Sequence, residues 1–302
     1  MTDYRALLAV IAVPRLVGTA AHQRVRDRLK SELVGRGFVV MEHRFSGRSL
    51  LYRFGRTPLD GINLIAVRPR VRIRTWLTAH YDSKGQRLSM ASRLLAAGLV
   101  TLGALELAGV ALRGLLGMLN LGPADALLGL AGLVGAALLA VNPVTDNSAG
   151  AVDNGSGVIA VLATVDALPP HAGVGVIFSD AEEYGLVGAR AIVRERANLL
   201  ADTAVLNFDG IDDRGGAVAF VHRPGPTVDA VTRATDARGW RRLPVLVDGI
   251  AFGAAARECV TIMRGDWSTT RIVHTSNDTA ERLTLEGARQ VGVGVARALQ
   301  PA

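Results

Sequence analysis

Short apolar runs alternate along the chain with longer stretches in which apolar and polar positions are mixed. The short runs have the length and composition of β-strands, and the longer stretches have the pattern of helices that bury one face. Strands are predicted at residues 37–45, 50–54, 62–67, 73–79, 174–179, 204–208, 218–221, 245–247 and 260–263. Helices are predicted at residues 6–13, 20–33, 155–168, 185–196, 227–238 and 285–299. This alternation predicts an α/β fold with a mixed, mostly parallel central sheet flanked by helices.

One segment departs from this alternation. The mean hydropathy of +0.28 is high for a soluble enzyme, and the excess is concentrated between residues 93 and 143. The segment contains two apolar stretches, residues 94–112 with the single acid Glu106 and residues 124–141 with no charge after Asp125. At 19 and 18 residues, they are just long enough to cross a hydrocarbon core as helices.

The predicted domain organisation follows from this segment. Residues 87–145 are predicted to form an inserted apolar helical hairpin, and residues 1–86 and 146–302 to form one catalytic domain around it. The apolar run at residues 6–13 is short and lacks a small-residue cleavage site, so we expect a helix of the folded domain and a chain that starts in the cytoplasm.

Charge and cysteine content exclude several function classes. The net charge is +7, but Lys30 and Lys84 are the only lysines, so 32 of the 34 basic residues are arginines scattered along the chain. With three Trp and four Tyr available for base stacking, no nucleic-acid partner is expected. The single cysteine, Cys259, excludes an intrachain disulfide and a cysteine-based zinc finger.

Metal-competent side chains follow the predicted strands. In open α/β sheets, ligands bind beyond the carboxyl ends of the strands. Each of these residues alone would suit a turn or a helix cap, but together two histidines and three carboxylates suit a pair of Zn²⁺ ions. The candidates are His80, Asp153, Asp209, His274 and one of the adjacent pair Glu182-Glu183.

These blocks resemble, in order, the co-catalytic dizinc exopeptidases, a family that includes bacterial leucine-type aminopeptidases, glutamate carboxypeptidase and, as relatives, the glutaminyl cyclases. The resemblance covers most of the chain. The matching blocks are Pro14-Arg15 with Gly18-Thr19, Ala79-His80-Tyr81-Asp82-Ser83, Asp153-Asn154-Gly155-Ser156-Gly157, Asp180-Ala181-Glu182-Glu183-Tyr184-Gly185-Leu186, Asn207-Phe208-Asp209 and His274-Thr275 with Asp278-Thr279.

The resemblance implies a role for each matching residue. Asp153 bridges two zinc ions and precedes a cis peptide bond to Asn154. His80 and Asp209 complete one metal site, and Glu183 and His274 complete the other. The remaining carboxylate, Glu182, is then the general base.

Two further carboxylates are expected to support the site. Asp82 lies two residues beyond His80, on the same side of an extended segment, and is predicted to accept the other ring N–H of His80. Asp278 is assigned to support of its loop.

The chain also departs from the family pattern. Ala189 stands where the family often has Ser, and Val247-Asp248-Gly249 stands where the family often has Ser-Asp-His, so the substrate-binding residues stay unassigned. His80 and Asp153 lie 73 positions apart, whereas the family has a short loop there. The apolar hairpin accounts for the difference.

The leading functional hypothesis is a membrane-attached dizinc aminopeptidase acting on peptides. A glutaminyl-cyclase-like acyltransferase with one zinc is the first alternative, and His80 argues against it because the cyclases lack that ligand. A non-catalytic protein of the same fold would usually have lost ligands. A carboxypeptidase would hold the substrate carboxylate with arginine, for which Arg264 and Arg271 are candidates, whereas the acidic site favours an ammonium group.

Basic residues give the hairpin an orientation. Lys84, Arg87 and Arg93 lie on the catalytic side and only Arg113 lies near the connecting turn, so the positive-inside rule predicts a cytoplasmic-membrane protein whose catalytic domain faces the cytoplasm. Glu106 favours the alternative, an amphipathic lid or a dimer-forming helix pair, because an acid within a span is costly.

Overall fold

The computed structural model describes residues 2–49 and 58–300, and the strand predicted at residues 50–54 lies outside them. Within the described residues, eight strands form one sheet in the order β1-β2-β6-β3-β7-β10-β8-β9. The strands are β1 (Val39–Gly47), β2 (Leu59–Val67), β3 (Thr75–His80), β6 (Val174–Ser179), β7 (Ala204–Ile211), β8 (Gly216–Arg223), β9 (Arg238–Trp240) and β10 (Glu258–Gly265). A separate two-stranded ladder joins β4 (Gly85–Gln86) to β5 (Val144–Thr145).

The centre of the sheet is parallel. β6, β3, β7 and β10 run in one direction, whereas β1, β2 and β8 join by antiparallel pairing. Every residue of β3 and β6 is buried, as expected for strands covered by helices on both faces. The predicted fold class is confirmed.

Helices cover both faces of the sheet. In chain order they are α1 (Tyr4–Ile11), α2 (Ala20–Gly35), α3 (Met90–Leu115), α4 (Pro123–Ala140), α5 (Gly157–Ala167), α6 (Val187–Arg196), α7 (Pro226–Ala234), α8 (Asp248–Gly253), α9 (Trp267–Ile272) and α10 (Glu286–Leu299). Alternate residues of β3 point to opposite faces. Leu77 packs in the core shared with α5 and α10, and Trp76 packs in the core shared with α6 and α8.

Two of the predicted elements are wrong. Residues 245–247 form no strand, because this run follows Pro244, and Val247 is the residue that caps α8. The helix predicted at residues 227–238 ends at Ala234, since Asp236 adopts a left-handed φ of 49°, and Arg238 already belongs to β9.

The apolar segment forms a helical hairpin, α3 and α4, that packs mainly on itself. Both helices are long and apolar enough to cross a membrane by length and composition. Their bounds extend the predicted stretch 94–112 at both ends and match the stretch 124–141 to within one residue. The β4–β5 ladder pairs Gln86 with Val144 and so fastens the two ends of the hairpin together. α3 also packs against α9.

Candidate metal centre

The site lies at the carboxyl ends of the parallel strands. β3 ends at His80, and the turn after β6 carries Glu182 and Glu183. Asp209 lies near the end of β7, and Asp153 lies in the irregular helical turn Ala151–Ser156 that leads into α5. The peptide bond between Asp153 and Asn154 is cis, as the resemblance implied. His274 follows α9 with a left-handed φ of 65°.

The five predicted ligands meet in two groups that share Asp153. In each group the ligand atoms all lie within 4.8 Å of one another. One oxygen of Asp153 lies 3.0 Å from His80 Nε2, and its other oxygen lies 2.9 Å from His274 Nε2. The groups are His80 with Asp153 and Asp209, and Asp153 with Glu183 and His274. The geometry therefore offers two adjacent three-residue sites.

The charges in this pocket favour cations. Burial opposes protonation of the histidines, yet the surrounding carboxylates raise the pKa of His80 well above its ordinary value and raise that of His274. Burial raises the pKa of Asp209 to about 6. Although burial also opposes ionisation of Asp153, hydrogen bonds with His274 and His80 hold its pKa well below the usual range. A pocket of buried imidazoles and carboxylates is a donor set that suits Zn²⁺.

Glu182 is buried beside the two groups and belongs to neither. Burial raises the pKa of its carboxyl well above the ordinary value, and the nearby charges of Glu183 and Asp209 act in the same direction. Its position is set by a tight turn, Glu182–Tyr184, that begins after Ala181 in the left-handed conformation. The structure thus provides a carboxylate suited to accepting a proton next to the candidate ligands.

Asp82 faces His80 and also fixes the turn that carries the glutamates. Its Oδ1 lies 3.4 Å from His80 Nδ1, although the Asp82 carbonyl oxygen is closer, at 3.2 Å. The carboxylate accepts the backbone N–H groups of Glu182 and Glu183, both at 3.2 Å. This second contact was not foreseen from the sequence.

Asp278 holds the backbone of the shared ligand. Its carboxylate accepts the N–H of Val152 at 2.7 Å and that of Asp153 at 3.1 Å. Arg15 lies behind the same loop and donates to the carbonyl oxygens of Tyr81 at 2.7 Å and Gly150 at 2.9 Å. Arg15 from the start of the chain and Asp278 from near its end therefore both hold the segment that carries Asp153.

Two cations at the site were missed from the sequence as site residues. Lys84 is buried and lies 2.9 Å from the Glu183 carboxylate, and it donates to the Glu183 carbonyl oxygen at 3.0 Å. Arg93, in the first turn of α3, donates to His274 Nδ1. Lys84 could have been noticed as one of two lysines in an arginine-rich chain, four residues after His80. The contact of Arg93 depends on how the hairpin docks, so no local pattern indicates it.

Asp248, the residue of Val247-Asp248-Gly249 that agrees with the family's Ser-Asp-His, is fully buried at the start of α8. Ser179 donates its hydroxyl to one carboxylate oxygen, and the other oxygen has no hydrogen-bond partner within the described residues. Burial raises the pKa of Asp248 to about 7. This carboxyl adds to the acidity around the ligand groups.

A parallel-centred α/β sheet with clustered histidines and carboxylates at its carboxyl edge defines a class of α/β proteins with a candidate metal centre. The chain belongs to peptidase family M28, whose family model matches residues 63–299. The resemblance drawn from the sequence motifs is therefore confirmed. No curated protein matches the sequence.

Solved structures share this fold at low sequence identity. A Zn-dependent exopeptidase from Parabacteroides distasonis superimposes with a TM-score of 0.65 at 20% identity, over 99% of this chain and 97% of that one. A zinc aminopeptidase from Bacillus subtilis gives 0.63 at 13% identity, over 98% and 93%. The glutaminyl cyclase of Porphyromonas gingivalis gives 0.62 at 18% identity, over 98% and 96%.

Proposed function

We propose that this M28 chain is a two-zinc aminopeptidase that removes N-terminal residues from peptides. The observation that carries the proposal is the pair of ligand groups sharing Asp153, with Glu182 buried beside them and outside both. One zinc ion would be held by His80, Asp153 and Asp209, and the other by Asp153, Glu183 and His274. When bound, such a pair lowers the pKa of a water molecule and polarises the scissile carbonyl group.

In this proposal, Glu182 is the general base and general acid of the reaction. Its carboxylate accepts the proton of the attacking water and donates it to the amine that leaves when the peptide bond breaks. The raised pKa of Glu182 suits this role, because a carboxylate with a higher pKa is a stronger proton acceptor. Asp82 keeps Glu182 in place through the backbone N–H that it accepts.

The charge of the pocket favours binding of the amino-terminal end of a peptide over its carboxyl-terminal end. Glu182, Glu183 and Asp209 favour a substrate ammonium group. Of the two arginines considered for a substrate carboxylate, Arg264 is engaged elsewhere, since it donates to Gln290 Oε1 at 2.7 Å and to Gly215 O at 3.2 Å. The acidic groups and the engagement of Arg264 support the aminopeptidase over the carboxypeptidase, for which Arg271 remains the candidate arginine.

A panel of zinc-loaded assays on matched peptides tests the proposal. We expect hydrolysis of dipeptides and of their C-terminal amides, and none of the N-acetylated forms. Cleavage that requires a free C-terminal carboxylate would assign a carboxypeptidase. Conversion of N-terminal glutamine to pyroglutamate without hydrolysis would assign a cyclase, and either result would overturn the proposal.

A further inference from the structure

Small residues form the contact between α3 and α4, and the large apolar side chains of both helices face outward. A Cβ on Gly103 would lie 2.6 Å from Gly132 Cα, and one on Gly135 would lie 2.6 Å from the Ala96 carbonyl oxygen. In the two helices, which the structure describes completely, the buried residues are Ala91, Ala96 and Gly135. A helix pair in water buries its large apolar side chains, whereas helices in lipid approach through small ones.

The outward surface of the hairpin is apolar on all sides. Of the 27 exposed large hydrophobic side chains in the described chain, 18 lie between Leu95 and Val141, with Leu133 exposed to 70%. An exposed apolar patch of this size marks a surface that contacts another protein or a membrane. A second copy of the chain would cover one side of the pair, whereas lipid surrounds it.

The dimensions match a bilayer. At 1.5 Å per residue, α3 is about 39 Å long and α4 about 27 Å, against a hydrocarbon core of about 30 Å. Residues 94–105 of α3 and residues 126–140 of α4 carry no charge. Modest differences in length are absorbed by tilting or by local thinning of the bilayer.

Glu106 lies within α3, nine residues before its end, and its charge is paired with one at the distal end of the hairpin. Arg113 lies 3.1 Å from Glu106 and also contacts Asp125. Pairing of this kind reduces the cost of ionised groups close to lipid. At the opposite end lie the basic residues Arg87 and Arg93, and this asymmetry corresponds to the positive-inside rule.

The candidate metal centre lies at the base of the hairpin. Arg93 reaches His274 from the first turn of α3, and the backbone N–H of Gln86 donates to the His274 carbonyl oxygen at 2.7 Å. Trp267, 54% exposed, begins the helix that packs against α3. Tryptophan is enriched at the boundary between lipid and water. The ligand groups therefore lie about one side chain away from the first apolar turn of α3.

We propose that the hairpin crosses a bilayer and returns, so that the metal centre lies at the cytoplasmic membrane surface and acts on the amino termini of peptides held at that surface. The substrate part of this inference rests on the proposed aminopeptidase activity. The membrane part stands on the hairpin alone.

Cysteine labelling of the full chain in native membranes tests the membrane part. Cys259 is fully buried in the folded chain, and the wild-type chain labelled in SDS measures its contribution after unfolding. In inverted membrane vesicles, a membrane-impermeant maleimide should label Leu246→Cys on the catalytic domain and leave Leu133→Cys unlabelled until the protein is unfolded in SDS. In intact cells it should label Leu119→Cys at the tip. Equal labelling of Leu133→Cys and Leu246→Cys in the vesicles, or an intact chain that stays soluble without detergent, would overturn the membrane part.

Reconstituted vesicles test the substrate part. A peptide with a free amino terminus and a C-terminal lipid anchor is placed either in the vesicles that carry the enzyme or in separate enzyme-free vesicles, at equal total concentration. Confinement to one membrane raises the effective concentration, so we expect cleavage about tenfold faster or more in the shared vesicles. Equal rates would overturn the substrate part. Failure to cleave soluble dipeptides as well would overturn the aminopeptidase proposal, while the labelling result would still decide the membrane part.

Discussion

The pKa values of two adjacent glutamates in one turn are shifted in opposite directions. Burial favours the neutral form of both, yet contacts with His274 and Lys84 lower the pKa of Glu183 to about 2, whereas the pKa of Glu182 is raised well above its ordinary value. Separation of the pKa values of two neighbouring carboxyls is a common way to assign them different tasks. Here the separation fits a ligand at Glu183 and a proton carrier at Glu182.

Glu182→Gln should abolish most of the activity and leave the metals in place. A general base contributes about 10²- to 10⁴-fold to turnover, so we expect kcat to fall by that factor while the zinc content stays at the wild-type value. Asp153→Ala is the comparison, because losing the shared ligand should remove zinc from both groups. Kinetic assays and elemental analysis give the two readouts. Normal turnover by the Gln variant would show that Glu182 does not carry the proton.

Asp278→Asn should weaken metal binding without touching a ligand. The side chain orients Asp153 by accepting two backbone N–H groups, and an amide offers a single acceptor oxygen in place of the carboxylate. Loss of such supporting contacts costs about 10- to 100-fold in metal affinity. The control is Glu281→Gln, an exposed carboxylate three residues further on. Calorimetric titration with zinc measures both, and equal affinities would exclude the supporting role.

Among the helices, α10 depends on a carboxylate from another segment. Asp213 accepts from the backbone N–H groups of Gly287 at 2.8 Å and Leu285 at 3.2 Å, and from the Thr284 hydroxyl at 2.9 Å. Burial opposes ionisation, but these bonds lower the pKa of Asp213 below its ordinary value. A carboxyl with a lowered pKa stabilises the fold at pH values above its unfolded pKa of about 3.9, and this contribution is lost as the pH falls through the folded pKa.

Asp213→Asn should therefore destabilise the fold more at pH 7 than at pH 3. We expect the free energy of unfolding to drop by about 1–2 kcal/mol at pH 7 and by less at pH 3. Urea denaturation followed by tryptophan fluorescence measures it, since Trp76, Trp240 and Trp267 all lie outside the hairpin. Asp202→Asn, at an exposed loop position, is the control. A difference that does not change with pH would mean that the charge of Asp213 contributes nothing.

The sequence predicts the buried elements well and the short ones poorly. The strand predicted at residues 174–179 has the observed bounds, because a fully buried strand is a continuous apolar run. β9, α8 and α9 were missed, since three to six residues are too few to reveal a period. His80, Glu183 and Asp209 were found because they lie at strand ends, and Asp153 and His274 because their motifs resemble the family's. The contact of Arg93 with His274, in contrast, joins residues 181 positions apart through the docked hairpin.

At the scale of the whole molecule, the hairpin is inserted without interrupting the central sheet. It leaves the domain after β4 and returns at β5, and those two segments pair with each other. The sheet continues on either side, with β3 before the hairpin and β6 after it in adjacent positions. This arrangement allows the metal centre to keep the family architecture while its surroundings change.

Gly132→Leu should disrupt the hairpin, and Gly129→Leu should not. A Cβ at Gly132 would lie 2.9 Å from Gly103 Cα, whereas one at Gly129 meets nothing within 4 Å. Overpacking of a close contact costs about 1–3 kcal/mol, so we expect proteolysis within residues 90–140 to become faster in the first variant only. Limited proteolysis of the purified full chain in mild detergent measures the difference. Equal cleavage of both variants would contradict the close packing of α3 against α4.

Zinc titration of the metal-depleted full chain tests the two-metal site most directly. Release of the N-terminal residue from an unblocked dipeptide is followed while zinc is added in known ratios to protein. Because the two ligand groups share Asp153 and both are complete, we predict that activity rises until two equivalents are bound and then stays constant. Full activity at one equivalent, or zinc binding at two equivalents with no hydrolysis, would contradict the two-zinc aminopeptidase.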